Sequence, residues 1–226
     1  MVYEYQPMDE VFFFKAKKMY DYYATPKKYA DQIYDNYHQE FPKNEKLNVL
    51  DVGCGLGALS DRWYNAGHNL TMIELNDDLI PILQEKYPNA KIIHGDFLKM
   101  TYSFDIGGPF DVVLCNPPFG SKVGGIKDEH IHFLMKILKG KTDIHNKTVV
   151  YFIGPGGMIT NFNNKGDKLE PEEDLKLSKA LIKRLKENEL WKTKDKLFDE
   201  KINFVYLDDV EDFQTTKMKC KLFRID

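Results

Sequence analysis

"NVLDVGCGLG" (residues 48–57) is an apolar run that breaks into three glycines set two apart. An apolar strand ending in such a loop has a limited set of uses. Glycine permits the tight turn and lets a ligand lie close to the backbone. The amphipathic segment "ALSDRWYNAG" follows at once, so the unit reads strand, glycine loop, helix.

The same alternation continues on both sides. "LTMIELN" (70–76), "AKIIHGDFL" (90–98), "FDVVLCNPPF" (110–119) and "KTVVYFIGP" (147–155) read as strands. Between them, "DDLIPILQEKYP" and "DEHIHFLMKILKG" have helical spacing. Strands alternating with helices form βαβ units and a mostly parallel sheet, and right-handed crossovers place helices on both faces. The chain ends differently. After the charged, helix-like "PEEDLKLSKALIKRLKENEL" (171–190), "KINFVYL" and "KCKLFRI" have no helical period between them, which predicts an antiparallel hairpin. The expected fold is α/β, a Rossmann-like seven-stranded sheet with a reversed last strand. The main irregular stretch is 154–171, long enough to suggest a functional loop.

At 226 residues the chain suffices for one α/β domain or at most two small ones. Apolar content of 42% and aromatic content of 13% argue against general disorder. A formal charge of −3 and a pI near 6.1 exclude a strongly basic coat but leave room for a local basic surface. Cys54, Cys115 and Cys220 lie far apart, in or beside strands, and are expected to be buried free thiols in a reducing compartment. The apolar run near the N-terminus is too short for a signal peptide, and no stretch is long enough to span a membrane. The expectation is an intracellular, cytoplasmic protein, with the nucleus left open.

Carboxylates mark the strand ends. Asp51 precedes the glycines Gly53, Gly55 and Gly57, Glu74 ends the next strand, and Asp96 the third. The glycine pattern alone suits either NAD or S-adenosylmethionine (SAM). Glu74 is placed to accept both ribose hydroxyls. Asp51 is unhelpful beside a diphosphate but well placed for a cofactor carrying an amino group. Asp96 can accept from an adenine amino group while Phe97 packs on the ring. Three acids at successive strand ends favour SAM.

The fourth strand runs into Asn116-Pro117-Pro118-Phe119. Proline ends the strand and stiffens the chain beyond it. An exocyclic aromatic amine is a weak nucleophile, because its lone pair is delocalised. Hydrogen bonds from its two N–H groups to the Asn116 oxygen and the Pro117 carbonyl favour the pyramidal, reactive nitrogen, and they strengthen as positive charge develops. Phe119, expected to be exposed, would stack on an unpaired base.

With these residues the chain resembles the class I SAM-dependent methyltransferases of the N6-adenine type, from "ATPKKYADQI" to the final hairpin. The resemblance implies cofactor-binding roles for Asp51, Gly53, Gly55, Gly57, Glu74, Leu75, Asp96, Phe97 and Asn116, and catalytic roles for Asn116, Pro117, Pro118 and Phe119. It also implies that Thr25 and Pro26 help hold the methionine end of SAM. Residues 1–46 would form a helical arm packed on a methyltransferase domain at 47–226. The implied activity is transfer of a methyl group to N6 of adenine in nucleic acid, with DNA slightly ahead of RNA. The alternatives are an rRNA adenine methyltransferase acting with a partner protein and a protein glutamine N5-methyltransferase.

Contact surfaces for a nucleic acid are visible. Lys15, Lys17, Lys18, Lys27 and Lys28 interleave with Tyr20, Tyr22 and Tyr23, as a binding arm or as an ordinary helix with a lysine face. In 176–201 the lysines and Arg184 are diluted by Glu187, Glu189 and Asp195, which reads as an exposed helix. "GSKVGGIKDE" (120–129) leaves the catalytic corner and could close over a base. His130 and His132 point to different helix faces, so no shared metal is expected.

Overall fold

The computed structural model describes residues 25–41, 45–119, 129–144, 147–155, 159–160, 176–177, 204–210 and 220–226. The elements run α1 (Lys27–Glu40), β1 (Asn48–Val52), α2 (Asp61–Asn65), β2 (Asn69–Glu74), α3 (Ile80–Lys86), β3 (Lys91–His94), β4 (Val112–Cys115), α4 (Glu129–Ile144), β5 (Val149–Pro155), β6 (Ile159–Thr160), β7 (Lys176–Leu177), β8 (Phe204–Val210) and β9 (Cys220–Ile225). Short 3-10 turns at Asp77–Leu79 and Phe97–Lys99 and a π-helical turn at Tyr102–Ile106 complete the set.

Seven strands form one sheet in the order β3-β2-β1-β4-β5-β9-β8. β1 pairs in parallel with β2 and β4, and β5 in parallel with β4. β9 runs antiparallel to both β5 and β8. The sheet is therefore the expected one, with the last strand reversed. A register shift between Tyr206 and Asp208 interrupts the β8–β9 ladder.

Side chains alternate across the sheet and feed two cores. Val49, Val112 and Leu114 face Tyr29, Ile33 and Tyr37 of α1, Trp63 of α2 and Leu83 of α3. Leu50, Val52, Val113 and Cys115 face Ile131, Leu134, Ile137 and Leu138 of α4. Each fully buried aliphatic side chain contributes about 1.5–3 kcal/mol. The helix α1 begins after Pro26 and buries Tyr29, Ile33 and Tyr37, one face at a spacing of four. Its outer end is tied to β5 and β9. Asn36 Oδ1 accepts from the Tyr151 hydroxyl (2.9 Å) and from Arg224 Nη1 (3.1 Å).

Two local expectations change. Lys176–Leu177, inside the stretch read as helical, pair antiparallel with Ile159–Thr160. Pairing with a distant segment here outweighs the local helical spacing. Helix α2 is a single turn rather than a full amphipathic helix, because 54–60 remain in the turn that leaves the glycine loop. All three cysteines are free and buried. Among the described residues, no helix is long and apolar enough to cross a membrane, and no group of His, Cys, Asp or Glu is placed to hold a metal.

Candidate functional site

Parallel strands bring the C-terminal ends of β1 to β4 to one edge of the sheet, and the strand order reverses between β1 and β4. Ligands bind α/β sheets at such a switch point. The cleft found there is lined by Thr25, Asp51, Gly53, Gly55, Glu74, Leu75, Asp96, Phe97, Asn116, Pro117 and Pro118, so most of the residues singled out in the sequence share one wall. Pro26, Gly57 and Phe119 are not on that lining.

The glycine loop is held from β2. Gly53 and Cys54 donate their backbone N–H groups to the carbonyl of Ile73 (2.9 and 3.0 Å), and Gly55 donates to Glu74 Oε2 (2.8 Å). Glu74 Oε1 accepts from the N–H groups of Leu75 and Asn76 (2.9 and 2.8 Å). These bonds stabilise the ionised carboxylate, yet burial outweighs them and raises the Glu74 pKa. A carboxylate oxygen offers about two acceptor positions, so Oε2 retains the room for one hydroxyl.

On the far side of the loop, Gly57 has φ +78°, and a Cβ there would lie 2.3 Å from the Tyr87 hydroxyl oxygen. That hydroxyl donates to Asp61 Oδ1 (2.6 Å) and lies 2.9 Å from the Gly57 carbonyl. Lys86 bridges the same Asp61 (2.9 Å) and donates to the Leu56 carbonyl (3.1 Å). Gly57 thus serves packing of the loop on α3.

Asp51 is almost completely buried and accepts from the Ser60 hydroxyl at 2.7 Å. Burial pushes its pKa from 3.8 up to about 7, with the charges of Glu74 and Asp61 adding to the rise and Ser60 opposing it. Asp96 caps the turn Phe97–Lys99, accepting from the Leu98 N–H (3.0 Å) and pairing with Lys99 Nζ (3.0 Å).

The Asn116-Pro117-Pro118 corner meets the start of α1. Asn116 Nδ2 donates to the Thr25 hydroxyl at 2.8 Å, and Asn116 Oδ1 is buried. Phe119 departs from expectation. It is 8% exposed, belongs to the core on the α1 side, and has its ring 6.3 Å from that of His130. An aromatic ring following two rigid prolines gains more from that core than from solvent.

Sequence reasoning missed several contributors. Glu129 and Phe133, one turn apart on α4, line the cleft, and the Phe133 ring lies 5.3 Å from that of Phe97. Their spacing of four was a legible signal, since positions i and i+4 share a helix face. Asn76, which caps the turn after β2 by accepting from Asp78, also lines it. The predicted lysine–tyrosine arm falls on 15–23, outside the described residues, apart from Lys27, which pairs with Asp31 (2.6 Å), and Lys28, which lies over the Tyr29 ring. The loop 120–128 and the segment 178–201 also lie outside them.

The donor set of the cleft is one-sided. Among the described lining residues, Asp51, Glu74, Asp96 and Glu129 are acids and none is Lys, Arg or His. The first three N–H groups of the glycine loop are already committed to β2. A diphosphate needs free amides or cations, so this cradle does not suit one. It suits a nucleoside whose tail is cationic.

Residues 14–113 match the family model described as ribosomal RNA adenine dimethylase. The chain is 38% identical over 71 residues to ribosomal RNA small subunit methyltransferase A of Parabacteroides distasonis, a stretch covering 30% of this chain and 27% of that one. It is 26% identical over 129 residues to the modification methylase CviBIII of Paramecium bursaria Chlorella virus NC1A, covering 54% of this chain and 31% of the relative. The chain thus spans less than a third of the length of either curated relative. The crystal structure of a dimethyladenosine transferase from Plasmodium falciparum superposes with a TM-score of 0.52 at 13% identity, over 90% of this chain and 62% of that one. The fold is the Rossmann-like fold of the class I SAM-dependent methyltransferases.

Proposed function

We propose that this chain is a SAM-dependent methyltransferase acting on N6 of adenine in nucleic acid, with RNA the leading substrate. The observation that carries the reading is the acid-only cleft at the switch point, with Asn116-Pro117-Pro118 on its wall. The bound cofactor would supply an electrophilic methyl group on a sulfonium. Asp51 and Glu74 would hold its cationic tail and ribose, Leu75, Asp96 and Phe97 its adenine, with Gly53 and Gly55 allowing close approach. Thr25 closes the cleft beside Asn116.

The Asn116 carboxamide and the Pro117 carbonyl would accept the two N–H groups of the target amine. The prolines fix that carbonyl in advance, so little reorganisation accompanies reaction. Because Asn116 Oδ1 is buried, the amine has to enter deeply, which suits a base taken out of its stack and strengthens the bond it makes. With Phe119 in the core, stacking on that base falls to another side chain.

RNA leads because the matching family model and the Parabacteroides relative are both described by ribosomal RNA. DNA is the second reading, supported by the modification methylase match and the Thr25-Pro26 segment. A partner protein that supplies substrate recognition has no support beyond the resemblance, and no observation favours glutamine methylation.

The test is incubation with methyl-labelled SAM and separate pools of unmethylated RNA, single-stranded DNA and duplex DNA, with Asn116→Ala as control. Label recovered as N6-methylated adenine from RNA, and lost in the variant, is the expected result. Label in DNA alone would exchange the two readings. Bound SAM with no label in any pool would overturn nucleic acid as the substrate of the chain alone.

A further inference from the structure

Helix α4 reaches back beneath the turn that carries Asp96 and Phe97. Its Lys136, one turn beyond Phe133, places its ammonium against the carbonyls of Phe97 and Met100. The same ammonium lies 4.8 Å from the centroid of the Phe97 ring. The turn Phe97–Lys99 is therefore held at both ends. Asp96 caps its start through the Leu98 N–H, and Lys136 adds a charged donor to the Phe97 carbonyl, which also accepts the Met100 N–H at 3.2 Å, and to the carbonyl of Met100 just past its close. Phe133 packs against the face of the turn from the same helix.

We infer that Lys136 is a positioning residue for the adenosine half of the cofactor, acting through Phe97 and the backbone of its turn. The inference rests on the SAM reading above and adds a residue from outside the cleft lining. Lys136 itself is not on the cleft lining. It fixes the wall against which the adenine is expected to pack, as a charged donor with two carbonyl acceptors and one ring face. Such charge-assisted bonds are stronger than neutral ones, so their loss lets the turn and the ring move. Burial lowers the Lys136 pKa, opposed by the charges of Asp96 and Asp105, in keeping with an ammonium enclosed between α4 and the turn.

Binding of SAM and of 5′-methylthioadenosine, which keeps the adenosine and lacks the methionine tail, should be measured calorimetrically on the full chain and on Lys136→Met and Lys136→Arg. The expected result is a loss of about tenfold in affinity for both ligands in Lys136→Met, by the same factor, with most of it restored in Lys136→Arg. Unchanged affinity for 5′-methylthioadenosine would overturn the inference, whatever happens to SAM. An Arg variant as weak as the Met variant, with an equally lowered Tm, would reduce Lys136 to a structural support and overturn it too. If Lys136→Met does not fold, Lys136→Gln takes its place with the same outcomes. Wild-type chain that binds neither ligand would remove the SAM reading itself, and the inference with it.

Discussion

The Ser60 hydroxyl donates to the Asp51 carboxylate at 2.7 Å, tying the end of β1 to the residue just before α2. This one hydrogen bond opposes three influences that keep Asp51 protonated: burial, Glu74 and Asp61. The acid is left poised near neutrality.

Asp51 makes both stability and ligand binding depend on pH. Its pKa is raised on folding, from 3.8 to about 7, so its contribution to stability is fully present below pH 3.8 and is lost as pH climbs through 7. A cationic tail favours the ionised form, so SAM affinity should rise with pH below 7, by up to about tenfold per unit, and level off above it. Titrations across pH 5.5–8.5 would show this, with proton release on binding near pH 6.5. Asp51→Asn should flatten the profile.

Gly57 and Gly67 give a matched comparison. Both have positive φ, but a Cβ on Gly67 would meet nothing within 4 Å, whereas one on Gly57 would strike Tyr87. Gly67→Ala should cost about 1 kcal/mol from backbone conformation alone. Gly57→Ala should cost about 3 kcal/mol, because Tyr87 has to move as well. Denaturant unfolding of the two variants measures the difference, and equal losses would show that Tyr87 yields freely.

Asn116 and Phe119 should separate cleanly in experiment although they are three residues apart. Asn116→Ala is expected to lower methyl transfer by about 10²–10³-fold and leave SAM binding within a few-fold of wild type. Phe119→Ala is expected to destabilise the fold by about 3 kcal/mol, since the ring belongs to the core. A Phe119→Ala chain of native stability that transfers no methyl group would restore the ring to the site.

Glu74→Gln tests the carboxylate's double duty. An amide NH2 in place of either oxygen faces the Gly55 N–H or those of Leu75 and Asn76, donor against donor. A loss of about 1–3 kcal/mol in stability should accompany weaker SAM binding. Weaker binding at unchanged stability would mean that the loop holds without Glu74.

The sheet was legible because its strands are apolar runs bounded by glycine, proline and acids, and because each helix carries one apolar face. Asp51, Glu74, Asp96 and Asn116 were legible as strand-end residues, where parallel pairing has to bring them to one edge. Phe119 was misread because a proline corner says where the chain turns, not which way the next ring points. Tyr87 and Lys136 were invisible for another reason. Their partners are groups of distant turns, the Gly57 carbonyl and Asp61 for Tyr87 and the Phe97 and Met100 carbonyls for Lys136, and no spacing in the sequence records such a contact. Lys176–Leu177 show the limit of periodicity, where a local helical pattern gives way to pairing with Ile159–Thr160.

The acids that line the cleft also bear on what else the chain meets. ATP and its relatives present the same adenosine, followed by several negative charges. Two like charges about 4 Å apart at a partly solvated surface repel by about 4 kcal/mol. With Asp51, Glu74, Asp96 and Glu129 on the wall and no cation among the described lining residues, a polyphosphate finds no counter-charge there. On the proposed reading, abundant nucleotides are expected to compete only weakly with SAM, because their tails carry the opposite charge.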